Sequence, residues 1–207
     1  VEAAYKELTR RERENTEREK RKQAASRAVI RQADAVDFLR SLPEQSADLL
    51  LTDPPYMTDI DGDVYEFASG WLPLALSRVK QSGRAYIFIG AYPRELHAYL
   101  GVALIQPFTL ANVLVWHYPN TLGPQPRMQY KQNWQAVLYL YGPDAGPLDA
   151  PTMTEATTVH TLATAASGEG KSYDTWQKPI ELGRRFVLQA TKPGELVIDP
   201  FAGTGTF

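Results

Sequence analysis

Asp48-Leu49-Leu50-Leu51-Thr52-Asp53-Pro54-Pro55-Tyr56, residues 48–56, decides how the rest of the chain is read. The apolar run has the length of a buried strand, so the tetrapeptide after it falls at the strand's carboxyl end. Open α/β sheets take their ligands at that edge. Asp followed by prolines is also ordinary turn composition, so the tetrapeptide alone leaves a plain turn open. Pro55 restricts the residue before it to extended geometry, which helps aim the Pro54 carbonyl.

On either side, apolar runs alternate with helical patterns. Ala28-Val29-Ile30-Arg31-Gln32 reads as a strand ended by Asp34, and Ala35 to Ser41 as a short amphipathic helix. Residues 57–70 form an acidic loop with Asp59, Asp61, Asp63 and Glu66, a candidate lid. Trp71 to Lys80 reads as a helix, Ala85 to Ile89 as a buried parallel strand, and Pro93 opens a helix to about Leu104. Leu110 to Trp116 and Ala136 to Tyr141 are further strands, joined by a long polar and aromatic connection. Residues 142–172, rich in Gly, Pro, Ala, Thr and Ser, read as a flexible insertion. Lys178 to Thr191 returns to helix, with Pro179 in a first turn where its missing N–H is harmless. Leu196 to Asp199 is a last strand, and a glycine-bearing loop follows. Strands alternating with helices predict an α/β fold with a doubly wound, mainly parallel sheet.

Composition narrows the classes. The chain has 207 residues, 43% of them hydrophobic, enough for one domain with a substantial core plus an appendage. Residues 1–31 hold ten Lys/Arg against six Glu, while residues 32–207 hold twelve against eighteen acids. The first segment lacks Pro and Gly over residues 3–24 but carries few large apolar side chains, so it reads as a charged helical extension, residues 1–26, that cannot bury a face. A solvated helix is the plain reading, and an arm on nucleic-acid phosphate the functional one. Glu residues among the arginines supply i,i+4 pairs and count against the second. There is no cysteine, which excludes disulfides and thiolate metal sites and fits a cytoplasmic setting. Three scattered histidines argue against zinc. No apolar run approaches the ~20 residues that span a bilayer.

The second motif is Asp199-Pro200-Phe201-Ala202-Gly203-Thr204-Gly205-Thr206. Glycines after a buried strand let backbone approach a ligand closely. A leading carboxylate suits a cationic ligand better than a phosphate. With both motifs in view, residues 28–206 resemble the amino-methyltransferases of DNA, which methylate the exocyclic nitrogen of adenine or cytosine with S-adenosylmethionine. Asp53-Pro54-Pro55-Tyr56 is similar to that family's catalytic motif, and residues 199–206 to its cofactor loop. Gln177-Lys178-Pro179 resembles the segment that precedes that loop. Catalytic motif first and cofactor loop last is the β-class order. Ala33-Asp34-Ala35 resembles the strand end that contacts the cofactor's adenine, although the family usually has Gly where Ala33 stands. Trp116-His117-Tyr118-Pro119-Asn120 and Asn133-Trp134-Gln135 resemble a later motif, in which His-Glu is more usual at the second place.

The resemblance implies a Rossmann-like methyltransferase domain over residues 27–207, with candidate target-recognition loops in 117–175. It implies Asp53, Pro54, Pro55 and Tyr56 as catalytic residues and Asp34, Lys178, Asp199, Phe201, Gly203 and Thr206 around the cofactor, with no metal. Asp34 equally suits an N-cap for residues 35–41, and Lys178 a plain helix-start residue. The implied partner is DNA with its target base flipped out, with a homodimer left open and no membrane. Asp at the first motif position favours adenine N6 by family habit. Cytosine N4, an RNA adenine, and a catalytically silent nucleic-acid-binding subunit are the alternatives. A complete member would continue past residue 207 into a helix and a strand with a ribose-binding acid, so the sheet is expected to be incomplete at the C-terminus.

Overall fold

The computed structural model describes residues 28–104, 107–120, 126–149, 156–164, 177–203 and 205. The charged segment 1–26 and Thr206 lie outside the described residues. The chain divides into two units, residues 1–33 and 34–207. In the first, residues 28–32 do not form the expected strand. Val29 and Ile30 are 78% and 90% exposed, so the β-branched side chains that suggested a strand have no buried face to drive one.

In the second unit, the described residues form a six-stranded sheet of order β5-β3-β4-β2-β1-β6. Its strands are β1 (Ala47–Thr52), β2 (Val79–Ile89), β3 (Thr109–His117), β4 (Trp134–Tyr141), β5 (Val159–Thr161) and β6 (Val197–Ile198). The helices are α1 (Ala35–Ser41), α2 (Val64–Arg78), α3 (Pro93–Ala103) and α4 (Ile180–Ala190). β1 runs parallel to both β2 and β6, and β5 parallel to β3. β4 alone runs antiparallel to its neighbours β2 and β3.

Each central strand is apolar on both sides because both faces are covered. Leu50, Ile87 and Leu138 pack with Leu39 of α1, Trp71 and Leu72 of α2 and Tyr99 of α3. The alternate residues Leu49, Leu51, Tyr86, Phe88 and Tyr139 face α4, where Leu182 and Phe186 meet them. Phe186 stacks on Tyr86 with ring centroids 4.3 Å apart.

Several boundaries differ from the sequence reading. Asp63, assigned to the acidic lid, is the N-cap of α2, its carboxylate accepting the Tyr65 and Glu66 N–H groups. That cap starts the helix at Val64, and burial of Val64 and Ala68 holds its first turns down despite Gly70. β2 likewise starts at Val79, six residues earlier than its apolar run suggests. Its polar beginning is paired: Lys80 donates to Asp48 over 2.6 Å, and Asp48 also accepts the Leu196 N–H.

The segment read as a flexible insertion contains β5. There His160 is 3% exposed. Arg185 of α4 lies 3.0 Å from its Nδ1. A guanidinium can only donate, so Nδ1 is the unprotonated acceptor. Burial, then the Arg185 charge, lowers the His160 pKa to about 4. The folded state therefore prefers the neutral ring. Stability from this site is full above the unfolded value near 6.5 and is lost as pH falls from there toward 4. We expect a loss on the order of 3 kcal/mol across that window. Urea midpoints of the wild type and His160→Gln at pH 7.5 and pH 4.5 check it, with the variant showing the smaller pH dependence.

Candidate active site

The carboxyl ends of β1, β2 and β6 and the start of β4 converge at one edge of the sheet. Register accounts for this: Leu49 and Leu50 pair with Val197 and Ile198, and Ile89 pairs with Ala136. Asp53 leaves β1 and Asp199 leaves β6 side by side. Thr52, the last residue of β1, donates its hydroxyl to Asp199 Oδ1 at 2.6 Å across 147 residues of sequence, so the two motifs share one site. The Phe201 N–H also donates to Asp199, at 3.0 Å.

Each oxygen of the Asp53 carboxylate has a partner. The Tyr56 hydroxyl lies 2.8 Å from Oδ1, and Lys178 Nζ lies 2.6 Å from Oδ2. Lys178 is 3% exposed, and its ammonium sits 5.0 Å from the Tyr56 ring, 5.9 Å from Phe88 and 6.0 Å from Trp116. Aromatic faces stabilise a cation that has been taken out of water. The Tyr56 hydroxyl also lies 3.0 Å from Gln135 Oε1 at the start of β4. One hydroxyl proton serves one acceptor, and the charged Asp53 is the stronger. A Gln135 amide turned to present its NH₂ would then donate to the phenol oxygen. Burial, then the Asp53 charge, raises the Tyr56 pKa well above its usual value, so the phenol keeps its proton.

Asp199 is pushed up to about 6, by burial first and by the Asp53 charge in addition, against the two hydrogen bonds it accepts. A half-buried carboxylate that feels the charge of another acid fits a cationic ligand. The loop after it turns through Gly203 and Gly205, with φ of 52° and 75°, the left-handed region that glycine enters at no steric cost. Phe201 points back onto α2, its ring 5.0 Å from Trp71 and 6.1 Å from Phe67.

Of the remaining expected residues, Asp34 is the N-cap of α1, its Oδ1 accepting from Val36 and Asp37. Among the described residues it shares no hydrogen bond with the Asp53–Asp199 group. Lys178, expected near the cofactor, stands on Asp53. Among the described residues no cluster of His, Asp and Glu could hold a metal ion. Two contributors escaped sequence reading. Thr52 carried a signal, as the polar end of an apolar strand. Glu95 carried none, because an acid in the first turn of a helix reads as a simple partner of the helix dipole.

The Lys178–Asp53 pair has a measurable consequence. Removing the cation strands the carboxylate, which costs roughly 3–5 kcal/mol for a fully buried pair. Asp53 is 26% exposed, so Lys178→Met should lose less, about 1–3 kcal/mol by urea denaturation. The double variant Asp53→Asn/Lys178→Met should recover part of that loss, because no unpaired charge remains.

A family model described as DNA methylase, of the N6/N4 methyltransferases, matches residues 47–207. The chain is 22% identical over 222 residues to the Type II methyltransferase M2.MboI of Moraxella bovis, covering 86% of this chain and 76% of that one. It is 24% identical over 217 residues to the DNA adenine methyltransferase YhdJ of Escherichia coli (strain K12), covering 86% and 72%. Among solved structures, the cytosine-N4-specific PvuII DNA methyltransferase superposes with a TM-score of 0.68 at 19% identity, covering 84% of this chain and 74% of that one. The M1.HpyAVI–SAM complex superposes with a TM-score of 0.65 at 22% identity, covering 84% and 82%. These structures share the Rossmann-like methyltransferase fold with the chain. With the family match running from β1 through the loop after β6, the chain belongs to the N6/N4 DNA methylase family.

Proposed function

We propose that the chain methylates the exocyclic amine of a base flipped out of duplex DNA, and that the base is adenine, modified at N6. The observation that carries this reading is the Asp53-Pro54-Pro55-Tyr56 turn at the carboxyl end of β1, its carboxylate already oriented by Tyr56 and Lys178.

The target amine is a weak nucleophile because its lone pair is delocalised into the ring. Asp53 and the Pro54 carbonyl accept its two N–H groups, draw the nitrogen toward tetrahedral geometry and localise that pair. Each carboxylate oxygen carries two lone pairs, so the Tyr56 and Lys178 bonds leave room for the incoming N–H. Bonds to a charged acceptor are the stronger class, and their prior placement lowers the reorganisation cost. Tyr56 offers a face on which the flipped base stacks. The pairing of Lys178 with Asp53 supports a role for this lysine on the base side of the site, keeping the carboxylate aimed.

S-adenosylmethionine, when bound, supplies an electrophilic sulfonium methyl group. Asp199, Phe201, Gly203 and Thr206 are the residues proposed to hold it, with Asp34 for its adenine amine. The carboxylate of Asp199 and the glycine turn after it fit such a cation.

Asp53 at the first motif position and the similarity to an adenine methyltransferase support adenine. Cytosine N4 is the second reading, favoured by the superposition on a cytosine-N4-specific enzyme. Similarity to a type II methyltransferase supports a place in a restriction–modification system, acting on cytoplasmic DNA alone or as a homodimer.

Nucleoside analysis of unmethylated genomic DNA and of RNA, each incubated with protein and cofactor, separates the readings. N6-methyladenine in DNA is the expected product. N4-methylcytosine, methylated RNA, or no product at all would each replace this proposal. Asp53→Ala should abolish transfer while leaving cofactor affinity within about twofold by calorimetry, since the acceptor of the amine is separate from the cofactor loop. Cofactor affinity should also depend on pH through Asp199. Its ionised form prevails above about 6, so affinity should fall as pH drops from 7.5 to 5, and Asp199→Asn should flatten that dependence.

A further inference from the structure

Glu95 lies in the first turn of α3 and is wholly buried. Among the described residues no ion pair engages it. Its carboxylate instead accepts two backbone N–H groups from different loops. Oε1 takes the Gly90 N–H at 2.7 Å, directly after β2. Oε2 takes the Met57 N–H at 3.3 Å, directly after Tyr56. A Cβ at residue 90 would come within 2.5 Å of Oε2, so Gly90 makes room for the carboxylate.

The Met57 bond acts on a peptide already held at its other end. The Tyr56 carbonyl accepts the Asp59 N–H at 2.8 Å. The plane of the Tyr56–Met57 peptide is therefore clamped on both sides, which sets Tyr56 ψ and the origin of its side chain. At the far end of the ring the hydroxyl is tied to Asp53 and Gln135. Upstream, the rings of Pro54 and Pro55 restrict φ. The backbone from 54 to 57 thus has little freedom left, provided that the Met57 N–H stays anchored.

We propose that Glu95 is a positioning residue for methyl transfer: by accepting the Gly90 and Met57 N–H groups its buried carboxylate fixes the Tyr56–Met57 peptide, and through it the Tyr56 ring and the Asp53 carboxylate. This rests on the reading of Asp53 and Tyr56 as the groups that receive the base. Glu95 touches no reacting atom. A carboxylate suits the task because it presents acceptors only, whereas an amide would turn its NH₂ toward one of the two N–H donors.

The test is Glu95→Gln in the full chain, assayed with radiolabelled S-adenosylmethionine on unmethylated genomic DNA. We expect kcat to fall by roughly 10- to 100-fold, the penalty of a small misplacement at a reacting centre. Cofactor affinity by calorimetry should stay within about twofold, because the substitution spares the Asp199 loop. The decisive readout is a double-variant cycle: in the Tyr56→Ala background, Glu95→Gln should cost little more, because the group it positions is gone. An equal kcat loss in both backgrounds, an unchanged kcat in the single variant, or a matching loss of cofactor affinity would overturn the proposal. Gly90→Ala, which displaces the carboxylate without removing its charge, is the second variant and should show the same kcat loss and the same dependence on Tyr56. Failure of the underlying reading looks different: Asp53→Ala would then retain transfer, whatever Glu95→Gln does.

Discussion

The 2.6 Å contact between Lys178 and Asp53 is the interaction on which the site depends. Three acids meet at this edge of the sheet: Asp53 after β1, Asp199 after β6 and Glu95 at the start of α3. Burial first, and the nearby Asp53 charge in addition, raises the pKa of Asp199 and of Glu95. The Lys178 ammonium is the counterweight placed on Asp53. It arrives from 125 residues away, just before α4, and is kept from water by Tyr56, Phe88 and Trp116. Because α4 packs on one face of the sheet through Leu182 and Phe186, that packing also places the cation. A site assembled from loops thus takes its precision from a helix and two strands.

The other two acids are satisfied by different means. Asp199 accepts from a hydroxyl and a backbone N–H, and Glu95 from two backbone N–H groups. Neither arrangement supplies a full positive charge. Asp199 therefore keeps an affinity for a cation that Lys178 has already satisfied at Asp53, and the adjoining glycine turn leaves its backbone open to a ligand. Glu95, wholly buried, spends the same kind of bond on structure. One carboxylate aimed, one receptive and one bracing is a division of labour set by environment, since the functional group is common to all three.

Much of this was legible in the sequence. The apolar run before Asp53, the glycine loop after Asp199 and the Pro93 and Pro179 helix starts all act locally, through burial on both faces or through a fixed φ, and local signals survive in one dimension. Reading failed where a local preference was overridden. Val29 and Ile30 have strand-forming side chains but no strand, and Gly70 sits inside α2 because Asp63 caps that helix and its apolar face is buried. β5 was invisible for the opposite reason: three residues paired to one neighbour are too short for periodicity to register. Glu95 acts on Met57, about 40 positions away, and nothing in its own surroundings announces it. Gln135, about 80 positions from Tyr56, lies in the Asn133-Trp134-Gln135 stretch that resembles a family motif, but the stretch does not name its partner.

Gln135 also gives a reason for the one departure from a parallel sheet. Had β4 run parallel to β2, its first residues would lie at the edge opposite the site, and its end, near Tyr141, would lie beside Asp53. Running antiparallel, with Ala136 across from Ile89, β4 begins at the site and delivers Gln135 to the Tyr56 hydroxyl. The same reversal brings His117 and Trp134, paired across β3 and β4, to this edge. A parallel crossover would have needed a helix there to cover a face of the sheet. The antiparallel turn-back needs none, and its described ends are held instead by the Tyr118 N–H donating to the Asn133 carbonyl at 2.9 Å and by Tyr118 packing beside Trp116.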